Sequence, residues 1–471
     1  MNTLTLSRTV EWAGRTDEEN HLNNITGVSR HPGSEDGLRQ VLGRAITWNT
    51  MSIRKKKTEE YKKARAAARK LLASPRFFNE FLAAVEKAGL VGEKKNALVL
   101  LIVVVSRLLR RPLSALVKGA SASGKNWLVT RIFLLMPIGR VRELSSVSER
   151  AWNYLKNHFR HRVIYLQERS GEPGGSVHPM RLLISERKLV RLVTQWVNGQ
   201  RVTKKYVANG PVAAISTTTR SGLEIDDETR HISLFIDESA DQTRRIVQSY
   251  TRQDQTLSKA ELRTWHMVHR LIEERAASEI VFPGWYDKVA ANVFAEDVVV
   301  RRYFPAFVEG CRAVSVIRSF QSYPELPESG TITVSFADFA IAALIFNGIF
   351  VESLHRKEGS GLETRRAIQK ASAKRNGNPV QAEDLARELE ISLDRAYTRL
   401  REAEKAGVIR RANPPEKDNR KLYLAAPRPR FIPDPEKLFK EVTGAGDEVR
   451  FVHPVTGKWI TYSRESAKKK G

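Results

Sequence analysis

The chain has 471 residues and a mass of 53.3 kDa, too long for one ordinary domain. Its 79 Lys and Arg against 53 Asp and Glu leave a formal charge of +26, which points to a polyanionic partner, nucleic acid before an acidic membrane surface. A single cysteine, Cys311, excludes a disulfide framework and a cysteine-based zinc finger, and it fits a reducing, cytoplasmic setting.

In chain order, residues 1–52 are polar, with no apolar signal-peptide core and no sustained period. They read as a flexible segment with a short helix near Gly37–Leu42. From Ser52 to Lys70 nine basic residues stand against Glu59 and Glu60, and the alanines among them favour helix. This stretch is either a solvated helix or an arm that touches phosphates. An amphipathic helix is expected over Phe77–Leu90, from Phe78, Phe81, Leu82 and Val85 at helical spacing. Together they make a basic helical lead-in over 53–91. Ala97–Val105 is the most apolar run. It is about half the roughly 20 residues of a membrane span, so it reads as part of a buried helix over Ala97–Leu109, and no membrane partner is expected. Pro112 breaks that helix, and Leu113–Lys118 is a short buried strand.

Gly119 to Lys125 fits G-x-x-x-x-G-K, and Asn126 follows where Ser or Thr is usual. The small residues Gly119, Ser121, Ser123 and Gly124 let backbone N–H groups close around a phosphate. Lys125 reaches terminal phosphates, and the positive end of a helix expected over Trp127–Met136 faces them. The expected ligand is ATP with Mg²⁺. A hydroxyl normally ligates the metal at position 126, and the Asn126 amide oxygen is a weaker, bulkier substitute.

Further along, the apolar strand Arg162–Leu166 ends at Gln167-Glu168. P-loop enzymes usually set Asp then Glu here, the Glu orienting the attacking water, so Glu168 is the candidate catalytic carboxylate. Lys188 to Val207 reads as a hairpin turning at Asn198-Gly199. Arg201, Lys204 and Lys205 crowd its return strand, as in an ordinary solvated hairpin or a loop offered to a nucleic-acid backbone. Pro211–Thr219 is a small-residue strand ending in hydroxyls. Asp226 to Arg230 precedes the strand Ile232–Ile236, and Asp237 to Val247 follows with the pattern of a helix.

Phosphate loop, acidic strand, hairpin, polar strand end, and an Arg ahead of the last strand together resemble an AAA+ ATPase. The hairpin between acidic strand and polar strand end resembles the helicase branch, which includes the minichromosome maintenance helicases. More closely, Gly89–Ser249 resembles helicase-like proteins of phages and mobile elements, often associated with primases. The stretch carries Pro112-Leu113-Ser114, Ser123-Gly124-Lys125, Glu168, Gly210-Pro211, Thr217-Thr218-Thr219 and Asp237-Glu238-Ser239. Arg301-Arg302 and Phe336–Ala342 continue the likeness into a helical lid.

The resemblance implies an α/β P-loop core over 92–250 and a lid over 251–358. It implies Thr218 or Thr219 as the polar sensor that holds the attacking water with Glu168. Arg230 would be an arginine finger acting on a neighbouring subunit's ATP, and Arg301 or Arg302 a second sensor in the lid. It also implies a homo-oligomer, a hexameric ring with a single strand in its pore, and a primase partner.

Asn378–Leu389 and Leu393–Ala406 are helices joined by a tight turn at Glu390–Ser392. Two short strands, Val408–Arg411 and Lys421–Leu424, bracket a polar loop, so 376–426 resembles a winged-helix domain. Arg395, Arg399 and Arg401 could face a duplex from the second helix, and Arg410 and Arg411 its phosphates from the wing. The stretch 359–375 reads as a charged helix or linker, and 427–471 as a basic tail with one hairpin at Gly457. The expectation is an ATP-dependent DNA helicase or translocase of a mobile element or phage, acting in replication. The alternative is a DNA-binding initiator or regulator that binds ATP with little or no turnover.

Overall fold

The computed structural model describes residues 58–145, 159–167, 177–219, 229–251, 256–276, 278–293, 299–323, 325, 330–356, 361–405, 409–412, 421–425 and 431–464. The segment 1–52, Glu168 and Asp226 lie outside the described residues. The chain divides into two units, Met1–Lys62 and Lys63–Gly471. Of the first, residues 58–62 are described; they are helical, with Lys62 Nζ 3.2 Å from Glu59. Everything that follows belongs to the second.

Its centre is a parallel sheet of five strands: β1 (Ser114–Lys118), β2 (Val141–Leu144), β3 (Arg162–Leu166), β6 (Val212–Thr218) and β7 (Ile232–Phe235), in the order β2-β3-β6-β1-β7. Parallel strands need crossovers that cover the faces, so their residues are buried on both sides. β1 and β6 are buried along their whole length. Leu116 pairs with Ser216 on one side and Ser233 on the other, which makes β1 an inner strand between β6 and β7. The half-exposed edge strand β2 is the one that no apolar run marks.

Helices α1 (Phe77–Lys87) and α2 (Lys94–Ser106) lead into the sheet. Every residue of α2 from Asn96 to Ser106 is buried, as expected of a helix apolar all round. Ser106 Oγ accepts the Leu113 N–H at 2.8 Å and ties the chain where it turns into β1. No helix among the described residues is long and apolar enough to cross a membrane.

Beyond the sheet the chain is mainly helical, with α6 (Lys259–Arg275), α8 (Val300–Ser322) and α9 (Phe336–Arg356) the longest elements. α8 and α9 approach closely at Gly310, where a Cβ would lie 2.6 Å from the Phe346 ring. α6 carries Glu273, whose carboxylate bridges Arg107, wholly buried, at 2.5 Å and Arg140 at 2.6 Å.

The basic tail is not a tail in the structure. Phe431, Ile432, Leu438, Phe439, Phe451 and Tyr462 are buried in the main core. Phe431 packs on Phe350 with ring centroids 5.2 Å apart, and Phe439 on Phe336 at 5.0 Å. The polar composition of 427–471 hides these buried residues, which lie in adjacent pairs or singly among prolines and charges. The hairpin at Gly457 is present, as β12 (Glu448–Val452) and β13 (Trp459–Ser463).

A second cluster, separate from the main core, joins α10 (Gly361–Lys374), α11 (Ala382–Leu389), α12 (Leu393–Lys405), β10 (Ile409–Arg411) and β11 (Tyr423–Ala425). Val380 adds a single bridge to Tyr423. The charged stretch read as a possible linker is α10, which contributes Ala367, Ile368 and Ala371 to this core.

Candidate functional site

The loop 119–124 runs from the C-terminal end of β1 into α3 (Lys125–Leu134). Gly124 has φ +89° and Ala122 φ +63°, the left-handed turns that let a loop curl with its N–H groups inward. A Cβ at Gly119 would stand 2.6 Å from Ser123 Oγ and 3.0 Å from Glu238. Lys125 is buried, and its Nζ donates to the carbonyls of Gly119 at 2.9 Å and Ala120 at 2.5 Å. Its ammonium thus lies inside the curve of the loop. Ser123 Oγ is buried there with no hydrogen-bond partner among the described residues, whereas Ser121 is exposed. Glu238, just past β7, accepts the Ala120 N–H.

The loop is buttressed from the lead-in. Trp127, on α3, donates Nε1–H to Gly89 O at 2.9 Å, with the Arg131 guanidinium 3.8 Å over its ring. Gln242, on α5 (Ala240–Ser249), donates to Val91 O at 2.7 Å, and Glu93 accepts the Asp237 N–H at 2.7 Å. These contacts tie 89–93 to α3 and to 237–242.

Asn126 carries an unforeseen contact. The Tyr165 hydroxyl, on β3, donates to Asn126 Oδ1 at 3.0 Å and is also hydrogen-bonded to Thr217 on β6. Burial pushes the Tyr165 phenol up to about 12, so it stays a neutral donor at physiological pH. One lone pair of the candidate metal ligand is therefore already engaged. Gln167, half-buried, closes β3, and its N–H donates to Leu144 O at 3.1 Å. Glu168, the next residue, lies outside the described residues.

The two sensor candidates part company. Thr218 is wholly buried within β6 and its carbonyl accepts the Gly119 N–H at 3.4 Å, whereas Thr219 is exposed just beyond the strand. Alternation sets Thr219 on the same face as Thr217. Arg230 stands ahead of β7, at the opposite end of the strands from the loop, and donates to Ser185 Oγ. Arg302 donates to Thr229 Oγ1. It and Arg301 line the same cavity as Arg230, so neither reaches the loop of its own chain.

The hairpin forms as expected, β4 (Lys188–Val197) with β5 (Gln200–Asn209), and Asn198 and Gly199 take φ 49° and 77°, the left-handed pair that a tight two-residue turn requires. Trp196 faces Arg201, Leu192 faces Lys205 and Val193 faces Lys204. Paired residues share a face. Arg201 and Lys205 thus share one with Val190, Leu192 and Trp196, all exposed, and the Arg201 guanidinium stands 5.2 Å from the Trp196 ring centre. Lys204 belongs to the other face, with Arg191 and Tyr206. The three basic residues grouped by sequence are therefore not one surface.

In the C-terminal cluster Arg395, Arg401 and Arg410 are exposed. Arg399 pairs with Glu363 at 2.6 Å and Arg411 with Glu404 at 3.2 Å, so part of the charge read as duplex-facing is engaged within the cluster. The polar loop 413–420 lies outside the described residues.

Sequence reasoning missed Tyr165, Thr217 and the contact of Glu238 with the loop. An aromatic within an apolar strand gives no sign of where its hydroxyl ends. A comparison with protein-family models and with curated proteins finds no match to this chain.

Proposed function

We propose that this chain is a P-loop ATPase of AAA+ type with a winged helix, working as an oligomeric DNA helicase or translocase in the replication of a phage or mobile element. The observation that carries the reading is the inner strand β1, flanked by β6 and β7, feeding a G-x-x-x-x-G-K loop whose lysine lies inside the loop. Ligands of open parallel sheets bind beyond the carboxyl ends of the strands, where neighbouring connections part. The left-handed loop, the crowding at Gly119 that leaves no room for a Cβ, and the orphaned Ser123 hydroxyl fit a tightly curled loop around a phosphate chain.

In this reading Lys125 exchanges its two carbonyl partners for terminal phosphates, and the loop N–H groups hold the phosphates before them. ATP would supply the cleavable phosphoanhydride, and Mg²⁺ bound with it would offset the charge on its oxygens. Asn126 offers a second lone pair to the metal, Glu168 orients the attacking water, and the exposed Thr219 is the better sensor of the two. Arg230, at the other end of the sheet, suits a role in a neighbouring subunit's site and so calls for an oligomer. The exposed face of the hairpin, with aromatic, aliphatic and basic residues interleaved, suits a single strand, which binds by stacking and phosphate contact. Three helices, a bridge at Val380 and the β10–β11 pair match the element order of a winged helix.

A second reading, an initiator that binds ATP with little turnover, draws on one observation. Asn126 Oδ1 already accepts the Tyr165 hydroxyl, and Gln167 replaces the usual metal-shell Asp, so protein support for the metal is thin. Mg²⁺-dependent ATPase turnover with and without single-stranded DNA separates the two. The helicase reading expects DNA-stimulated turnover, abolished by Lys125→Ala and slowed at least about 100-fold by Glu168→Gln with nucleotide binding kept. Nucleotide binding without turnover establishes the initiator. Unchanged binding and turnover in Lys125→Ala refutes the P-loop assignment.

A further inference from the structure

At the end of the sheet remote from the loop lies a cavity of about 430 Å³. Five arginines line it: Arg111 from the α2–β1 connection, Arg187 ahead of β4, Arg230 ahead of β7, and Arg301 and Arg302 from the start of α8. Among the described residues that line it, Glu309 carries a carboxyl, buried and 2.6 Å from Arg312. Burial pushes that carboxyl above its usual range, against the pull of Arg312, Arg111 and Arg187.

Four separate elements bring these guanidiniums to one cavity, where an anion of several charges can meet more than one of them. Guanidinium forks match phosphate oxygens in geometry as well as charge. Ser114 Oγ, 3 % exposed and with no hydrogen-bond partner among the described residues, lines the same cavity. A buried hydroxyl left unsatisfied costs free energy unless a ligand or water meets it. The volume falls within the range of small-ligand sites, roughly 300–1,000 Å³. A concave site suits a short anion better than it suits a running backbone.

We propose that this cavity is a second anion site, built within one chain, for an oligophosphate group such as inorganic triphosphate or the phosphate chain of a nucleotide. It is separate from the loop of Lys125, at the other end of the strands, and does not depend on that loop binding nucleotide. Arg187 and Arg301 grip the anion from separate elements, Arg230 and Arg302 line the cavity while donating to the hydroxyls of Ser185 and Thr229, and Ser114 donates to the anion.

The test uses the full chain carrying Lys125→Ala, which removes the loop lysine, and tripolyphosphate as probe in calorimetry and thermal scans. One equivalent per chain is expected to bind and raise Tm. Arg187→Gln with Arg301→Gln weakens binding about 100-fold, from two lost charge-assisted hydrogen bonds. Ser114→Ala weakens it several-fold, and the double variant without probe melts within a few degrees of its parent, so that lost binding is not lost folding. Absence of tripolyphosphate binding, or binding indifferent to these substitutions, overturns the proposal. So does binding of an unphosphorylated oligonucleotide, lost in the same double variant, with no response to tripolyphosphate. An arginine-dependent response seen only on mixing with nucleotide-loaded unmodified chains also overturns it, because the cavity is then an interface element of Arg230. Loss of ATPase activity in Lys125→Ala bears on the loop and leaves these outcomes unaffected.

Discussion

The hairpin gives the sharpest test of the nucleic-acid reading, because the two faces of β4–β5 make opposite demands. Each phosphate neutralised on a single strand contributes about 0.7 to the slope of log affinity against log salt. Arg201 and Lys205 share the exposed face with Trp196. Replacing both by Ala should therefore flatten the slope by about 1.4. Over a fourfold rise in salt the variant should lose about 7-fold less affinity than the parent. Trp196→Ala should cost about 1–3 kcal/mol of binding, the worth of a stacked base, and leave the slope alone. Lys204→Ala, on the opposite face, should change neither. Fluorescence anisotropy of a labelled single-stranded oligonucleotide from about 50 to 200 mM KCl reads all four proteins. If Lys204→Ala flattens the slope by about 0.7, the worth of one phosphate contact, the strand does not lie on the Trp196 face. If no variant moves the slope, the charge excess acts elsewhere.

Three further outcomes concern stability. Glu273→Gln strips the carboxylate from wholly buried Arg107, whose guanidinium burial already lowers to about 10, and should cost about 3–5 kcal/mol in a denaturant titration; a loss under about 1 kcal/mol would mean water reaches Arg107. His269 is fully buried beside Arg107 and His266, and burial holds its pKa well below the usual value of 6.5. The unfolded chain therefore takes up a proton below pH 6.5 that the native imidazole refuses, and stability should fall on acidification at up to about 1.4 kcal/mol per pH unit. His453 titrates in the same direction, while the carboxylates with lowered pKa values weaken only at lower pH. Thermal scans between pH 7 and 5 should show the drop reduced in His269→Phe, and an equal drop in that variant would refute the assignment. Removing 376–471 should unfold the main core, since Phe431, Phe439 and Phe451 leave with it, whereas excising 361–425 with a short linker should keep the core folded and weaken duplex binding; a stable, cooperative 1–375 fragment would show that these rings are dispensable.

Much of the site was legible in the chain because its signals are local. A small-residue loop after an apolar strand, Asn198-Gly199 between β-rich runs, and the two helices from Ala382 to Lys405 each follow from residues a few positions apart, and backbone sterics or helical spacing suffice to read them. What tertiary structure alone decided depends on which distant elements become neighbours. Sheet order sets Tyr165 against Asn126 and Thr217, and Glu238 against the loop's N–H, although no pattern in their own segments marks them. Strand pairing, not the run of basic residues, divides Arg201 and Lys205 from Lys204. The rings of 431–462 are spaced among prolines and charges, so only the surface offered by α9 shows that they are core. In sequence Arg230 reads as an arginine finger and Arg301 or Arg302 as a second sensor, while Arg111 and Arg187 draw no reading; the five line one cavity because the starts of β1, β4, β7 and α8 meet at one end of the sheet, and charge density is a property of that meeting, not of any one segment.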